Sequence, residues 1–372
     1  MLVRSLRPQP AGPAGIAGRV LRSRLLGALT YPHGVDRYAE LISPMLLARD
    51  VRAEVTAVRH QTPKSVTLTM RPNRNWRGFG AGQFIGVSAW MDGVRVTRPY
   101  SLAGSALCPG EIELTVSTHP MGRLSRHLRD AARTGMVLDI TQAQGEFVLP
   151  LPRPERVLLI SGGSGITPVM AMLRTLCDES YPGQIGFLNY SRSPLAALYD
   201  GELHRLAAAN PRLTVRRGYT RSRPGAVSGR FTLEHAGAAA EEPGCASTFV
   251  CGPPALVDAV RSHWAAAGFP DPAVEMFTPP PLPFERSAAH GVVRFTASDM
   301  QSANTGLPLL EQAEDAGLLP EHGCRMGICN TCSCRKKSGT VRNAISGALS
   351  GSGEEQIRIC VSVPVGDVAV EL

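Results

Sequence analysis

The sequence predicts a multidomain chain: an antiparallel six-stranded β-barrel, an α/β domain on a parallel sheet, and a small α+β domain at the C-terminal end. Three observations carry this. Short alternating apolar runs separated by Gly and Pro turns fill Val51 to about Arg153. Apolar strands then alternate with helical segments from about Pro154 to Phe277. After the proline-rich stretch TPPPLPFERSAAH (278–290), four cysteines follow at a defined spacing. The 372 residues and 43% apolar content are enough for two or three packed cores.

Taken in order, residues 1–50 form an N-terminal extension, Pro/Gly-rich and arginine-containing, whose segment DRYAELISPMLLARD (36–50) reads as a helix. It is expected to pack on the next domain; a membrane-surface arm or a transit peptide is the other reading. Residues 51–153 supply six strands: AEVTAV, SVTLTM, QFIGVSAW, VRVTRPYSL, EIELTVST and MVLDITQ, interrupted by one helical segment, 122–132. Residues 154–277 alternate RVLLI, a helix from GITPVMAMLRTL, IGFLNY, a helix from YDGELHRLAAA, LTVRRGY, TFVCG, a helix from PALVDAVRSHWAA, and AVEMF. This layout suits a nucleotide. Residues 278–290 read as an extended linker and 291–372 as the cysteine-bearing domain.

Composition narrows the class further. Nine cysteines without disulfide-like regularity, and no evident secretory signal, point to a reducing cytoplasm. No transmembrane span is expected, because SGGSG breaks the uncharged stretch 157–173. Aromatic residues make up 5% of the chain with no basic–aromatic alternation, which argues against nucleic acid. The net charge of +8 divides into about +4 over 1–50, +6 over 51–153, zero over 154–277 and −2 over 291–372.

Cys324, Cys329, Cys332 and Cys360 fit the C-x₄-C-x₂-C…C spacing of a plant-type [2Fe–2S] cluster. Gly323 and Gly327 in HGCRMGICNTCSC (322–334) permit the backbone bends that aim N–H groups at sulfur. Four thiolates also satisfy tetrahedral zinc, but zinc frameworks usually pair two Cys-x-x-Cys elements, and only Cys329 and Cys332 make one. Cys334 reads as a small strand residue.

Four further motifs bear chemistry. Arg98-Pro99-Tyr100-Ser101 ends a predicted barrel strand; Gly122-Arg123-Leu124-Ser125 opens the barrel helix; Ser161-Gly162-Gly163-Ser164-Gly165-Ile166-Thr167-Pro168 links a strand to a helix; and Cys251-Gly252-Pro253-Pro254 closes a strand. Taken singly, each is compatible with an ordinary turn or strand end. A helix start offers free N–H groups and a positive dipole to phosphate. A glycine loop after a strand lets backbone approach a pyrophosphate, although SGGSGITP departs from G-x-G-x-x-G.

In this order, and over Val51 to Leu372, the motifs resemble those of the ferredoxin–NADP⁺ reductase superfamily, in the form of a flavin reductase with a C-terminal plant-type ferredoxin domain of β-grasp fold. The domain order is similar to that of phthalate dioxygenase reductase and of the reductases serving acyl-CoA desaturases, and RPNRNWRGFGAGQFIGV resembles the desaturase-serving group. The resemblance implies that Arg98 pairs with the flavin diphosphate, Tyr100 packs against the isoalloxazine and ribityl portion, Ser101 lies near flavin N5, and Pro99 belongs to the same cofactor-binding element. It implies that Gly122, Arg123, Leu124 and Ser125 bind the flavin pyrophosphate. Gly162, Gly163, Gly165, Thr167 and Pro168 would hold the dinucleotide, with Cys251, Gly252 and Pro253 beside the nicotinamide. Glu275 joins the proton network near N5, and Phe277 shields the flavin face. Ser101, Cys251 and Glu275 are thus the expected catalytic residues.

No acidic residue follows IGFLNY to hold a ribose 2′-hydroxyl, whereas Ser191 and Arg192 suit a 2′-phosphate, so NADPH is expected over NADH. Arg221 and Arg223 in TRSRP read as a solvated loop, with assistance at that 2′-phosphate as the other reading. FAD is expected over FMN. The implied function is electron flow from NADPH to FAD to [2Fe–2S] to a protein acceptor, a di-iron oxygenase or desaturase that can be membrane-bound. The chain itself is expected to be a monomer, cytoplasmic or peripheral at the membrane. Two readings stay open beside it: a stand-alone oxidoreductase acting on a small molecule, and a zinc-stabilised binding protein.

Overall fold

Alternation of inward apolar residues builds the first layer. Val51, Ala53 and Val55 are buried at every second position of β1 (Val51–Thr62), and Val66, Leu68 and Met70 likewise in β2 (Ser65–Pro72). With β3 (Phe84–Met91), β4 (Val94–Ser101), β5 (Ile112–Ser117) and β6 (Val137–Ile140) they form one sheet in the order β4-β3-β6-β1-β2-β5. The pairs β1–β2, β1–β6, β2–β5 and β3–β6 are antiparallel, and a bridge from Leu102 to Leu114 joins the end of β4 to β5, as a barrel requires. Helix α1 (Arg123–Ala131) lies between β5 and β6 in the chain and buries Leu124 and Leu128.

The computed structural model describes residues 43–47, 49–91, 94–119, 122–221, 227–277, 289–323, 325, 327, 331–345 and 347–372. Most of the N-terminal extension (1–42) and of the linker (278–288), together with Cys324, Cys329 and Arg223, lie outside the described residues. The described part of the segment expected to be helical, 43–47 and 49–50, contains a turn at Pro44 and Met45 and no helix. Pro44 lacks an N–H and Ser43 binds locally, with Leu46 N–H donating to Ser43 O at 3.0 Å. Leu47 is fully buried, and its carbonyl accepts from Asn75 Nδ2 at 3.0 Å, so this segment packs on the loop after β2.

Continuous apolar runs build the second sheet, as expected of strands covered on both faces. Val157 to Ile160 are all buried in β7 (Arg156–Gly162). There follow α2 (Ile166–Asp178), β8 (Gln184–Ser191), α3 (Asp200–Ala209), β9 (Leu213–Tyr219), β10 (Val227–Ser228), α4 (Leu233–Ala239), β11 (Ser247–Cys251), α5 (Pro254–Ala266) and β12 (Ala273–Glu275). The sheet is parallel, in the order β10-β9-β8-β7-β11-β12. Chain order therefore reverses between β7 and β11, where a crevice opens at the carboxyl ends of parallel strands. Sequence periodicity missed β10 and α4: one spans two residues, and the other is seven residues long with Gly237 inside it.

The last sheet, β14-β13-β17-β15-β16, comprises β13 (Val292–Phe295), β14 (Met300–Ala303), β15 (Ser333–Asn343), β16 (Glu355–Arg358) and β17 (Ser362–Val370). Helix α6 (Leu309–Asp315) buries Leu309, Leu310 and Ala313 in a core with Phe295, Val341, Ile359 and Val370. This is the α+β layout expected of the cysteine-bearing domain. The molecule divides into two compact units, one holding the α/β sheet and most of the barrel, the other this last sheet.

Candidate functional site

At the reversal point, backbone meets backbone. A Cβ on Gly165 would lie 2.3 Å from Cys251 O, and one on Gly162 would lie 2.8 Å from Leu256 Cδ2 and 3.0 Å from Pro253 Cδ. The SGGSGITP loop and the CGPP loop thus pack together only because these positions lack side chains. Gly163 differs: its φ is +59° and a Cβ there would meet nothing within 4 Å. It leaves open space over the start of α2, whose first turn has no side-chain cap and includes Pro168 as its third residue. Thr167 donates from Oγ1 to Ser164 O at 3.1 Å and holds the loop's far side. A phosphate cradle in backbone of this kind fits a dinucleotide.

Cys251 pairs in register with Ser161 on β7 and with Glu275 on β12, so two expected site residues, Cys251 and Glu275, share one row across the sheet with the first residue of the glycine loop. Ser161, fully buried, donates from Oγ to Asn189 Oδ1 on β8 at 2.8 Å. Burial, and secondarily Glu275, raises the thiol pKa of Cys251 well above its ordinary value, so the side chain is a neutral thiol rather than a nucleophile. Burial also raises the Glu275 carboxyl from its usual 4.5 to about 8. The residue as a whole is partly exposed, yet its Oε2 is sealed from solvent with no hydrogen-bond partner among the described residues. A protonated carboxyl with a free oxygen is equipped to give or accept one proton.

Ser191 is buried at the end of β8 and Arg192 is exposed just beyond it. Thr220 N–H donates to Ser191 O and Arg221 N–H to Arg192 O, each at 3.0 Å, so Arg221 and Arg192 come from adjacent strand ends. The backbone pairing itself was not legible in the sequence, where Arg221 read first as a loop residue and second as a helper to Arg192 at the 2′-phosphate.

In the barrel, Arg98, Pro99 and Tyr100 are partly buried on β4 and Ser101 is buried at its end. Gly122 caps α1 with an extended backbone and no side-chain cap bond, and Ser125 Oγ donates to Gly122 O at 3.3 Å. A Cβ on Gly122 would lie 2.4 Å from Ser125 Oγ. The uncapped first turn fits a phosphate, with Arg123 and Leu124 opening the helix. Phe277 lies two residues past β12 and is partly buried.

Of the four cysteines, Cys332 and Cys360 are described and buried. Gly327, at φ +71°, donates its N–H to Cys360 Sγ at 3.2 Å, and a Cβ there would lie 2.8 Å from Val361 Cγ2. Ile359 N–H donates to Cys332 O at 3.2 Å, holding the two cysteine segments together. Backbone N–H to thiolate is the donor pattern that suits an iron–sulfur cluster. Cys334 is a buried strand residue whose Sγ faces Glu371 O at 3.4 Å.

Comparison with known proteins gives three consecutive matches. Residues 53–149 match the oxidoreductase FAD-binding domain, 159–262 the oxidoreductase NAD-binding domain, and 298–365 the 2Fe-2S iron-sulfur cluster binding domain. The chain is 32% identical over 384 residues to an NADPH oxidoreductase of Mycobacterium tuberculosis, covering 100% of this chain and 97% of that one. It is 29% identical over 320 residues to the glycine betaine monooxygenase reductase subunit of Pseudomonas aeruginosa, covering 79% and 87%. Among solved structures, phthalate dioxygenase reductase superposes with a TM-score of 0.60 at 21% identity, covering 86% of this chain and 97% of that one.

Proposed function

Because the chain belongs to the ferredoxin–NADP⁺ reductase superfamily, as an oxidoreductase that uses NAD(P)H, FAD and a C-terminal [2Fe–2S] domain, we propose that it draws electrons from NADPH and delivers them to a di-iron desaturase or oxygenase. Bound FAD supplies the conversion of a hydride into electrons passed singly to the cluster. The residues do the rest. Gly162, Gly163, Gly165, Thr167 and Pro168 receive the dinucleotide phosphates, while Cys251, Gly252 and Pro253 form the floor for the nicotinamide. Glu275 holds a proton beside them. Arg98, Pro99, Tyr100 and Ser101, with Gly122 to Ser125, hold and orient the flavin, and Phe277 covers it. Cys324, Cys329, Cys332 and Cys360 ligate the cluster. The corresponding domains are 51–153, 154–277 and 291–372, with 1–50 as an extension and 278–290 as a linker.

The observation that carries this reading is the row Ser161–Cys251–Glu275 beneath two interlocked glycine loops at the sheet's reversal point. The preference for NADPH is supported by the Arg192–Arg221 pairing and by the mycobacterial relative, which is named an NADPH oxidoreductase. A protein acceptor of the oxygenase class is supported by the Pseudomonas relative, a monooxygenase reductase subunit. The test is the visible spectrum under anaerobic titration. Flavin and iron–sulfur bands should both bleach with NADPH, and at lower concentrations than with NADH. A colourless, zinc-containing protein would overturn the reading.

A further inference from the structure

Between the barrel and the α/β sheet, within one compact unit, buried charges and hydroxyls form a single closed node. Arg174 lies eight residues after the start of α2, about 12 Å along the helix that opens at the glycine loop. Its side chain is 14% exposed, and it grips Glu202 of α3 with two parallel bonds of 2.7 Å. Its Nη1 donates to Glu113 Oε1 of β5 and to Ala103 O, both at 2.7 Å. Ala103 stands two residues after Ser101, and its own N–H donates to Glu113 O at 2.8 Å.

Tyr199 completes the node. It is 3% exposed, lies under the Arg174 guanidinium at 5.1 Å, and adopts φ +57°, a conformation unfavourable for a bulky residue. Its hydroxyl bonds Thr115 Oγ1 and reaches Glu113 Oε1 at 3.2 Å, while its N–H donates to Gln61 Oε1 at 2.8 Å. Gln61 Nε2 can only donate, and it donates to Thr67 Oγ1 at 2.6 Å; Thr67 in turn bonds Thr115 at 2.6 Å. Each hydroxyl hydrogen therefore has one place to go, from Thr67 to Thr115 to Tyr199 to the Glu113 carboxylate. Burial keeps the Tyr199 phenol protonated, as this order needs. Tyr199 also ends the loop that leaves β8 through Ser191 and Arg192.

A buried ion triad of this kind is a weak source of stability, because desolvation offsets most of the attraction, whereas a forked guanidinium with four of its N–H groups engaged fixes direction closely. We propose that Arg174 is a positioning residue for hydride transfer: it holds the backbone carrying Ser101, the helix carrying the 162–165 loop, and, through Tyr199, the 191–199 loop in one fixed geometry. The inference rests on the flavin and dinucleotide assignments above.

The test uses the full-length holoenzyme, NADPH as donor and ferricyanide as acceptor, with amide hydrogen exchange as the second readout. Arg174→Met should lower kcat about 10- to 100-fold, the cost of a misplacement near 1 Å, while KM for NADPH moves less than about threefold. Exchange should rise together in segments 98–106 and 191–203. The charge-free triple variant Glu113→Gln, Arg174→Met, Glu202→Gln relieves the unpaired carboxylates, so it should regain the melting temperature without regaining kcat. If Arg174→Met does not fold, this variant alone carries the test. An unchanged kcat, or a kcat that recovers with the melting temperature, overturns the proposal. A wild-type enzyme that fails to reduce ferricyanide with NADPH overturns instead the functional reading on which it rests, and the exchange data still decide whether Arg174 ties the two segments.

Discussion

Glu275 carries a carboxyl that the fold prefers uncharged. Burial places its folded-state pKa at about 8 against an ordinary 4.5, so folded chains keep a proton that unfolded chains lose. Its contribution to stability is therefore complete below pH 4.5 and declines as pH rises toward about 8, with a slope of up to about 1.4 kcal/mol per pH unit. Glu275→Gln should abolish that slope: urea midpoints of the variant should gain on wild type between about pH 5 and pH 8, and parallel curves would refute the assignment. The residue type was legible in the sequence through its resemblance to a family terminus. Its protonation was not, because it follows from the burial of the carboxyl once β12 pairs with β11.

Strand β15 is fastened by an internal cation. Lys336 is fully buried, and its three ammonium hydrogens go to Gly339 O, Gly351 O and Gly353 O at 2.6–2.7 Å. Glu355 Oε1 stands 3.1 Å away and finds no hydrogen left to accept. The lysine ties β15 to the 347–353 stretch, which leads into β16 and on to Cys360. Lys336→Met should strand these carbonyls and destabilise this unit by about 3 kcal/mol. Heating while following iron–sulfur absorbance would show it: the variant should lose its visible bands at a lower temperature, and an unchanged melting curve would refute the role. In sequence, Lys336 sits in CRKKSG and looks like a solvated charge. Only the pleat, which alternates buried and exposed positions along β15, turns it inward.

At the scale of the molecule, the two compact units make a division of labour testable. Among the described residues no helix is long and apolar enough to cross a membrane. A chain ending at Phe277 retains the barrel, the α/β sheet and the residues assigned to flavin and dinucleotide. It should keep flavin colour and NADPH-dependent ferricyanide reduction, lose the iron–sulfur bands, and lose electron delivery to cytochrome c or another one-electron protein acceptor; loss of flavin would refute the division. By itself the sequence determined the three-domain order, the six barrel strands, the glycine loops and the cysteine spacing, because these depend on local periodicity and on residues, glycine above all, that few others can replace. Tertiary structure alone decided the row Ser161–Cys251–Glu275, the Arg192–Arg221 pairing, the buried Lys336 and the Arg174 node. Each joins residues far apart in the chain, and the burial that gives them their chemistry exists only once the sheets have closed around them.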